Sequence, residues 1–196
     1  MAHSIKYTCR MKPTVKPLTP ARWKDFEALF GLRGACDGCW CHWIRLPRKE
    51  YAAVRGDGAK ALMKELVLSG KVPGLLAYEG KRAVGWIALG PREQYRRLEK
   101  SRILKPVDAR AVWSTPCFFT AKDARGKGVT TALLKAAAAY AAKKGASTLE
   151  GYPVETKGKK VPDAFVWWGL SGAFKKAGFK EVARRSKTRP IMRRAL

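Results

Sequence analysis

The chain is 196 residues long, 46% of them hydrophobic, and its 41 lysines and arginines against 15 acids give a formal net charge of +26. Length and apolar content suit one compact domain, residues 1–196, with a true core, and no linker divides it. No run of about 18 apolar residues occurs, because Lys135 interrupts the longest one at residues 132–142, so a membrane-spanning helix is excluded.

Residues 1–13 mix His3, Lys6, Arg10 and Lys12 with few apolar side chains. They lack the hydrophobic segment of a secretory leader and read as a flexible or edge segment, which makes the cytoplasm the expected address. The five cysteines agree: the number is odd, and Cys36, Cys39 and Cys41 sit too close together for a disulfide framework. The charge predicts attraction of polyanions and fast capture of phosphorylated ligands. It is dense in residues 92–105 and in residues 175–196, where nine basic side chains accompany one acid, Glu181. A well-solvated surface accounts for the same charge, and low-salt affinity for nucleic acid follows from charge alone.

The first predicted element is a helix from Pro20 to about Leu32, with Thr19 as N-cap and Pro20 at the first helical position. Trp23, Phe26, Leu29 and Phe30 recur at helical spacing and give it a buried stripe. The Gly- and Cys-rich residues 31–43 break it, and a second helix is expected over residues 58–68. Residues 74–78 and 83–89 form a hairpin around Glu79-Gly80-Lys81-Arg82. The basic loop over residues 90–110 is long for a compact domain and is either functional or disordered. A third strand covers residues 111–120. It runs into Arg125-Gly126-Lys127-Gly128 and an Ala-rich helix over residues 129–144, with Gly145 as its C-cap. A strand over residues 148–154 completes a strand–helix–strand unit. Residues 168–177 read as a helix stopped by Gly178, and residues 179–184 and 190–193 as terminal strands.

The junction at residues 120–131 carries the most chemistry. The first turn of a helix leaves backbone N–H groups unpartnered and places partial positive charge there. Gly126 and Gly128 let an anion approach those donors, Arg125 and Lys127 add charge, and Thr130 and Thr131 offer hydroxyls, a set suited to a pyrophosphate. The spacing of a nucleotide P-loop is absent. A dinucleotide fingerprint fits only in its first two glycines, since Thr131 stands where the third belongs.

Arg125-Gly126-Lys127-Gly128-Val129-Thr130 resembles the [RQ]-x-x-G-x-[GA] motif of the Gcn5-related N-acetyltransferase (GNAT) superfamily. Phe174-Lys175-Lys176-Ala177-Gly178-Phe179 resembles that superfamily's closing helix ending in Gly-Phe. The resemblance covers about residues 14–193. It implies an α/β, three-layer fold: a mixed, mostly antiparallel central sheet with two splayed parallel strands, here residues 111–120 and 148–154, flanked by helices. It further implies acetyl-coenzyme A as cosubstrate and no metal. By the same resemblance, backbone groups of Phe118, Phe119 and Thr120 pair with the pantetheine arm, and Arg125, Gly126, Lys127, Gly128, Val129, Thr130 and Thr131 cradle the pyrophosphate. Trp40, Cys41 and Trp43 line the acceptor side, and a homodimer is a family assembly state. Phe174, counted with the cofactor-binding residues, stands where many members carry a proton-donating tyrosine, and Trp167 where many carry asparagine. Losing that acid slows transfer without abolishing it, because coenzyme A thiolate is a tolerable leaving group.

Deprotonating an amine calls for a base, and Glu150 and Tyr152, on one face of the second splayed strand, are the catalytic candidates, Tyr152 as a proton donor; ordinary sheet packing accounts for both equally well. Glu155 reads as a surface ion pair. Cys36, Cys39, Cys41 and His42 form one contiguous cluster without a distant second pair, which is poor zinc geometry. Cys117, on a core strand, is expected to be buried and inert. Trp167 and Trp168 read as core or pocket wall, and residues 157–160 as an exposed basic turn. The expected function is N-acetyl transfer from acetyl-coenzyme A to an amine. The alternative is a basic nucleic-acid-binding protein on the same fold.

Overall fold

The computed structural model describes residues 12–156, 158, 161–162 and 165–196. Residues 1–11, including Cys9, and Lys157, Lys159 and Lys160 of the basic turn lie outside the described residues. The chain enters as a four-residue edge strand, β1 (Thr14–Pro17), too short and proline-bounded to show as a strand in the sequence. A 3₁₀ turn at Pro20–Arg22 leads into α1 (Trp23–Phe30). Thr19 is extended as an N-cap should be, but its hydroxyl makes no cap bond; it accepts from Arg22 Nη1 at 3.2 Å. Helices α2 (Arg48–Val54), which the sequence did not reveal, and α3 (Asp57–Leu68) follow.

The hairpin is β2 (Gly74–Glu79) and β3 (Arg82–Ala88), and β1 pairs antiparallel with β2. The basic loop is ordered: it contains β4 (Gly90–Pro91), a 3₁₀ turn at Arg92–Gln94 and α4 (Arg96–Glu99). The single strand expected over residues 111–120 is two strands, β5 (Trp113–Thr115) and β6 (Phe118–Thr120), broken at Pro116-Cys117. Proline has no N–H for a ladder, so the break falls where pairing must stop. Then come α5 (Val129–Lys143), β7 (Thr148–Gly151), α6 (Ser171–Lys176), β8 (Lys180–Arg184) and β9 (Pro190–Ala195). The helix expected over residues 168–177 is shorter, because residues 167–169 form a turn before it.

The strands form a four-stranded sheet, β1-β2-β3-β6, and a five-stranded sheet, β4-β5-β7-β9-β8. The two-residue step from β5 to β6 joins them. All neighbours are antiparallel except β5 and β7, which run parallel with Ser114 opposite Glu150. The architecture is the mixed, mostly antiparallel α/β sheet with flanking helices that the sequence implied.

Helix α5 covers one face, with Val129, Leu133, Leu134 and Ala137 packed against Leu75, Ala77 and Ile87. Gly85 permits this approach: a Cβ there would lie 2.6 Å from Val129 Cγ1. The other face is covered by α1 and α3, where Phe26, Phe30 and Met63 meet Trp86 and Trp40. A third cluster, with Tyr95, Leu98, Tyr152 and Ile191, lies between the ordered loop and the five-stranded sheet. Each fully buried side chain of leucine size contributes roughly 2 kcal/mol.

Candidate active site

Three features converge where β6 leaves β7. The first is a free strand edge. Ala88 N–H donates to Cys117 O at 2.9 Å and Ala121 N–H to Val84 O at 2.9 Å. Strand alternation then turns the backbone groups of Cys117, Phe119 and Ala121 toward β3 and those of Phe118 and Thr120 toward the gap. On that edge Phe118 N–H donates to Trp167 O at 2.7 Å, and Arg125 Nε donates to Thr120 O at 3.2 Å. The chain's own groups thus occupy part of the edge.

The second feature is the glycine loop at one end of that edge. Gly126 and Gly128 adopt φ of 75° and 88°, conformations open to glycine. Gly128 is the N-cap of the 15-residue α5, and no side chain caps the helix. Its first-turn N–H groups are available donors, with Lys127, Thr130 and Thr131 half-buried around them and Arg125 and Gly126 exposed. A groove of about 580 Å³ continues along α5 and brings Lys12 and Lys135 alongside Gly128 and Thr131. The arrangement can hold a pyrophosphate.

The third is a cavity of about 440 Å³ at the β5–β6 break, lined by both Cys117 and Phe118 of the strand and by Cys39, Cys41 and Trp43 opposite. Its far wall is irregular: Ala35, Asp37 and Cys41 all hold positive φ, from 53° to 65°. Such strain gathers at binding sites. Trp86 Nε1–H donates to Cys41 Sγ at 2.8 Å, and Cys41 in turn donates to Cys117 Sγ at 3.4 Å. Burial pushes the Cys39 thiol up to about 12, and the Cys41 contact with burial pushes Cys117 well above its ordinary range, so both are neutral thiols. Cys117 was expected to be buried and inert; it is half-buried and lines the cavity.

Other expected site residues lie elsewhere. Trp40 is 2% exposed, packed on Phe30 and Trp23 in the core rather than on the cavity. Phe174 is fully buried, its ring edge-on to Phe118 and Phe179. Glu150 and Tyr152 are buried one layer behind the cavity, at the paired end of β5 and β7. Glu150 takes Arg92 Nη1 at 2.9 Å on one oxygen and Arg193 Nε at 2.7 Å on the other. The Tyr152 hydroxyl lies 2.7 Å from Glu150, 2.5 Å from Arg92 and 2.8 Å from Ser114. Burial, then the Glu150 charge, lifts Tyr152 well above the usual phenol range. Arg92 and Arg193 were missed in the sequence, being 58 and 43 positions from Glu150. Glu155 forms the expected ion pair, with Arg184 at 2.7 Å.

His42 is buried and donates Nδ1–H to Trp40 O at 3.2 Å, since a carbonyl can only accept. Among the described residues no group of three or more His, Cys, Asp or Glu side chains is arranged to hold a metal ion. Among them, too, no helix is long and apolar enough to cross a membrane.

A glycine loop at a helix N-terminus, beside a strand edge that parts from its parallel neighbour, has a clear counterpart in sequence. Residues 40–155 match the Acetyltransferase (GNAT) family. The chain belongs to that family. GNAT enzymes take their acetyl group from acetyl-coenzyme A. No curated protein matches the chain. Solved structures share its fold at low identity. A Corynebacterium glutamicum protein described as histone acetyltransferase HPA2 and related acetyltransferase is 21% identical, with 94% of this chain and 97% of that chain covered and a TM-score of 0.52. A phosphinothricin acetyltransferase from Sinorhizobium meliloti, in complex with AcCoA, is 14% identical over 95% of this chain and 89% of that one, TM-score 0.55. A GNAT-family acetyltransferase from Listeria monocytogenes is 8% identical over 94% and 95%, TM-score 0.55.

Proposed function

We propose that this GNAT protein transfers acetyl from acetyl-coenzyme A to an amine by direct attack. The observation that carries the reading is the edge of β6 that no strand pairs, which ends at the glycine loop on one side and opens into the cavity on the other. Pantetheine would exchange for Trp167 O on Phe118 N–H and engage the groups of Thr120, while α5 receives the pyrophosphate. Phe119 turns its backbone to β3, so its part is to wall the arm with its ring.

The amine nitrogen attacks the acetyl carbonyl carbon, a C–N bond forms, and the C–S bond breaks with its electron pair leaving on sulfur. The amine's proton passes to water, and the thiolate takes one from water. Holding the two reactants together supplies most of the rate, because the thioester is already activated. Glu150 and Tyr152 act in this scheme as positioning residues: they lock β5 to β7 and so fix where β6 departs.

Calorimetric titration with acetyl-coenzyme A at about 0.3 M salt, where surface attraction is screened, tests the reading against Gly128→Glu. One-to-one binding abolished in the variant is expected; no binding, or equal binding by both proteins, would overturn it.

A second reading, association with a polyanion, is favoured by a groove of about 600 Å³ where Arg48, Lys49, Arg96, Arg97 and Lys100 gather around one acid, Glu50. It predicts single-stranded DNA binding whose affinity falls steeply with salt and is weakened by Arg48→Gln.

A further inference from the structure

The molecule's surface and its cavity have opposite characters. The chain as a whole carries +26, yet among the described lining residues the cavity holds one charged side chain, Asp37, already paired with Arg55 at 2.8 Å. The rest is rings, thiols and two aliphatic side chains, Ala35 and Ile44. Phe30, Phe119 and Trp167 line the cavity, with the Cys117 and Cys41 sulfurs as a polarizable floor. Toward the mouth stand Trp43, 39% exposed and edge-on to Tyr51 at 5.3 Å, and Phe165, 64% exposed.

Such a cavity selects its guest on two grounds. An ammonium that enters without a buried carboxylate must shed its proton, because burial disfavours the charged form. A guest with one amine sheds one proton, whereas a polyamine must leave further charges against a basic surface that repels them. The energy that offsets this desolvation has to come from apolar contact, which an aromatic ring supplies by offset or edge-on packing on Trp43, Tyr51 and Phe119. A flexible alkyl chain covers less of these rings and loses more rotamer freedom on binding.

We propose that the acceptor is a small primary amine bearing an aromatic ring; this deepens the acetyl-transfer reading and rests on it. Trp43 is the specificity-determining residue, its ring held by the Arg97 guanidinium, 3.8 Å from the ring centroid.

The test follows acetylated product by mass spectrometry with 2-phenylethylamine, spermidine or Nα-blocked lysine as acceptor. The aryl amine is expected to show a kcat/KM about a hundredfold above either of the others, the effect of burying one ring. Trp43→Ala should raise KM for 2-phenylethylamine, and Trp43→Phe should restore most of it, with the acetyl-coenzyme A Kd equal in all three proteins. Equal or better turnover of spermidine or lysine, or an unchanged KM in Trp43→Ala, would overturn the acceptor assignment alone. Absence of acetyl-coenzyme A binding would instead sink the transfer reading beneath it.

Discussion

Over Trp113–Thr115 and Thr148–Gly151 the two parallel strands are clamped by buried charge, whereas past Pro116 the chain leaves β7 to pair with β3 and lines an apolar cavity. At the clamped end, Arg92 and Arg193 reach Glu150 from two different elements, and Asp108 joins through Arg193 at 2.7 Å. At the open end, Phe118 N–H reaches Trp167 O, the Phe118 ring meets Phe174 edge-on, and Val154 bridges Leu170. The contrast assigns rigidity and adaptability to different stretches of the same strands. Ion pairs without water cannot shift cheaply, while rings and thiols repack at small cost.

The sharpest way to break this contrast is Glu150→Ala. It removes the carboxylate that two buried guanidinium groups share, leaving Arg92 with Glu99 and Arg193 with Asp108, and should cost about 4 kcal/mol in urea unfolding. An effect below about 1 kcal/mol would mean water already enters the cluster.

Next in size is acid. His42, in the segment walling the cavity, has its pKa lowered to about 4 by burial and then by the Arg45 charge. The unfolded chain takes up a proton near pH 6.5 that the folded one refuses, so this contribution is complete above pH 6.5 and is lost as pH falls toward 4. The loss is about 3 kcal/mol. Comparing melting temperatures of the protein and His42→Asn from pH 8 to 4.5 isolates it, the variant showing the shallower acid slope.

Gly151→Ala comes third. Its new methyl would run into the Phe174 ring at the hinge between the two ends, and overpacking there should cost about 2 kcal/mol. The smallest effect sharpens the picture from the open side: Phe165→Ala, at an exposed mouth residue, should change stability by less than about 0.5 kcal/mol.

Much of the fold was legible. Helical spacing at Trp23, Phe26 and Phe30, the Gly80 hairpin and the Ala-rich run before Gly145 all sit where the sequence implied, because each is a local signal. The glycine loop was legible for the same reason, since a helix start and two glycines are contiguous. Short edge strand β1 and helix α2 were not, being too brief for periodicity to register. The basic loop read as either functional or disordered, because its order comes from Arg92 and Asp108 meeting partners far along the chain. Glu150 illustrates the limit at the site: its carboxylate was legible as a candidate, but its ion pairs with Arg92 and Arg193, distant in sequence, were not. The parting of the strands did have an unread signal, for Pro116 and Pro153 each remove an N–H at the point of divergence.

The hydrogen bond from Phe118 to Trp167 has a consequence outside catalysis. A β6 edge left bare would present unpaired N–H and C=O groups to any extended chain, the template from which sheets grow between molecules. By laying the Trp167 carbonyl and the Arg125 side chain on that edge, the protein denies it to another strand.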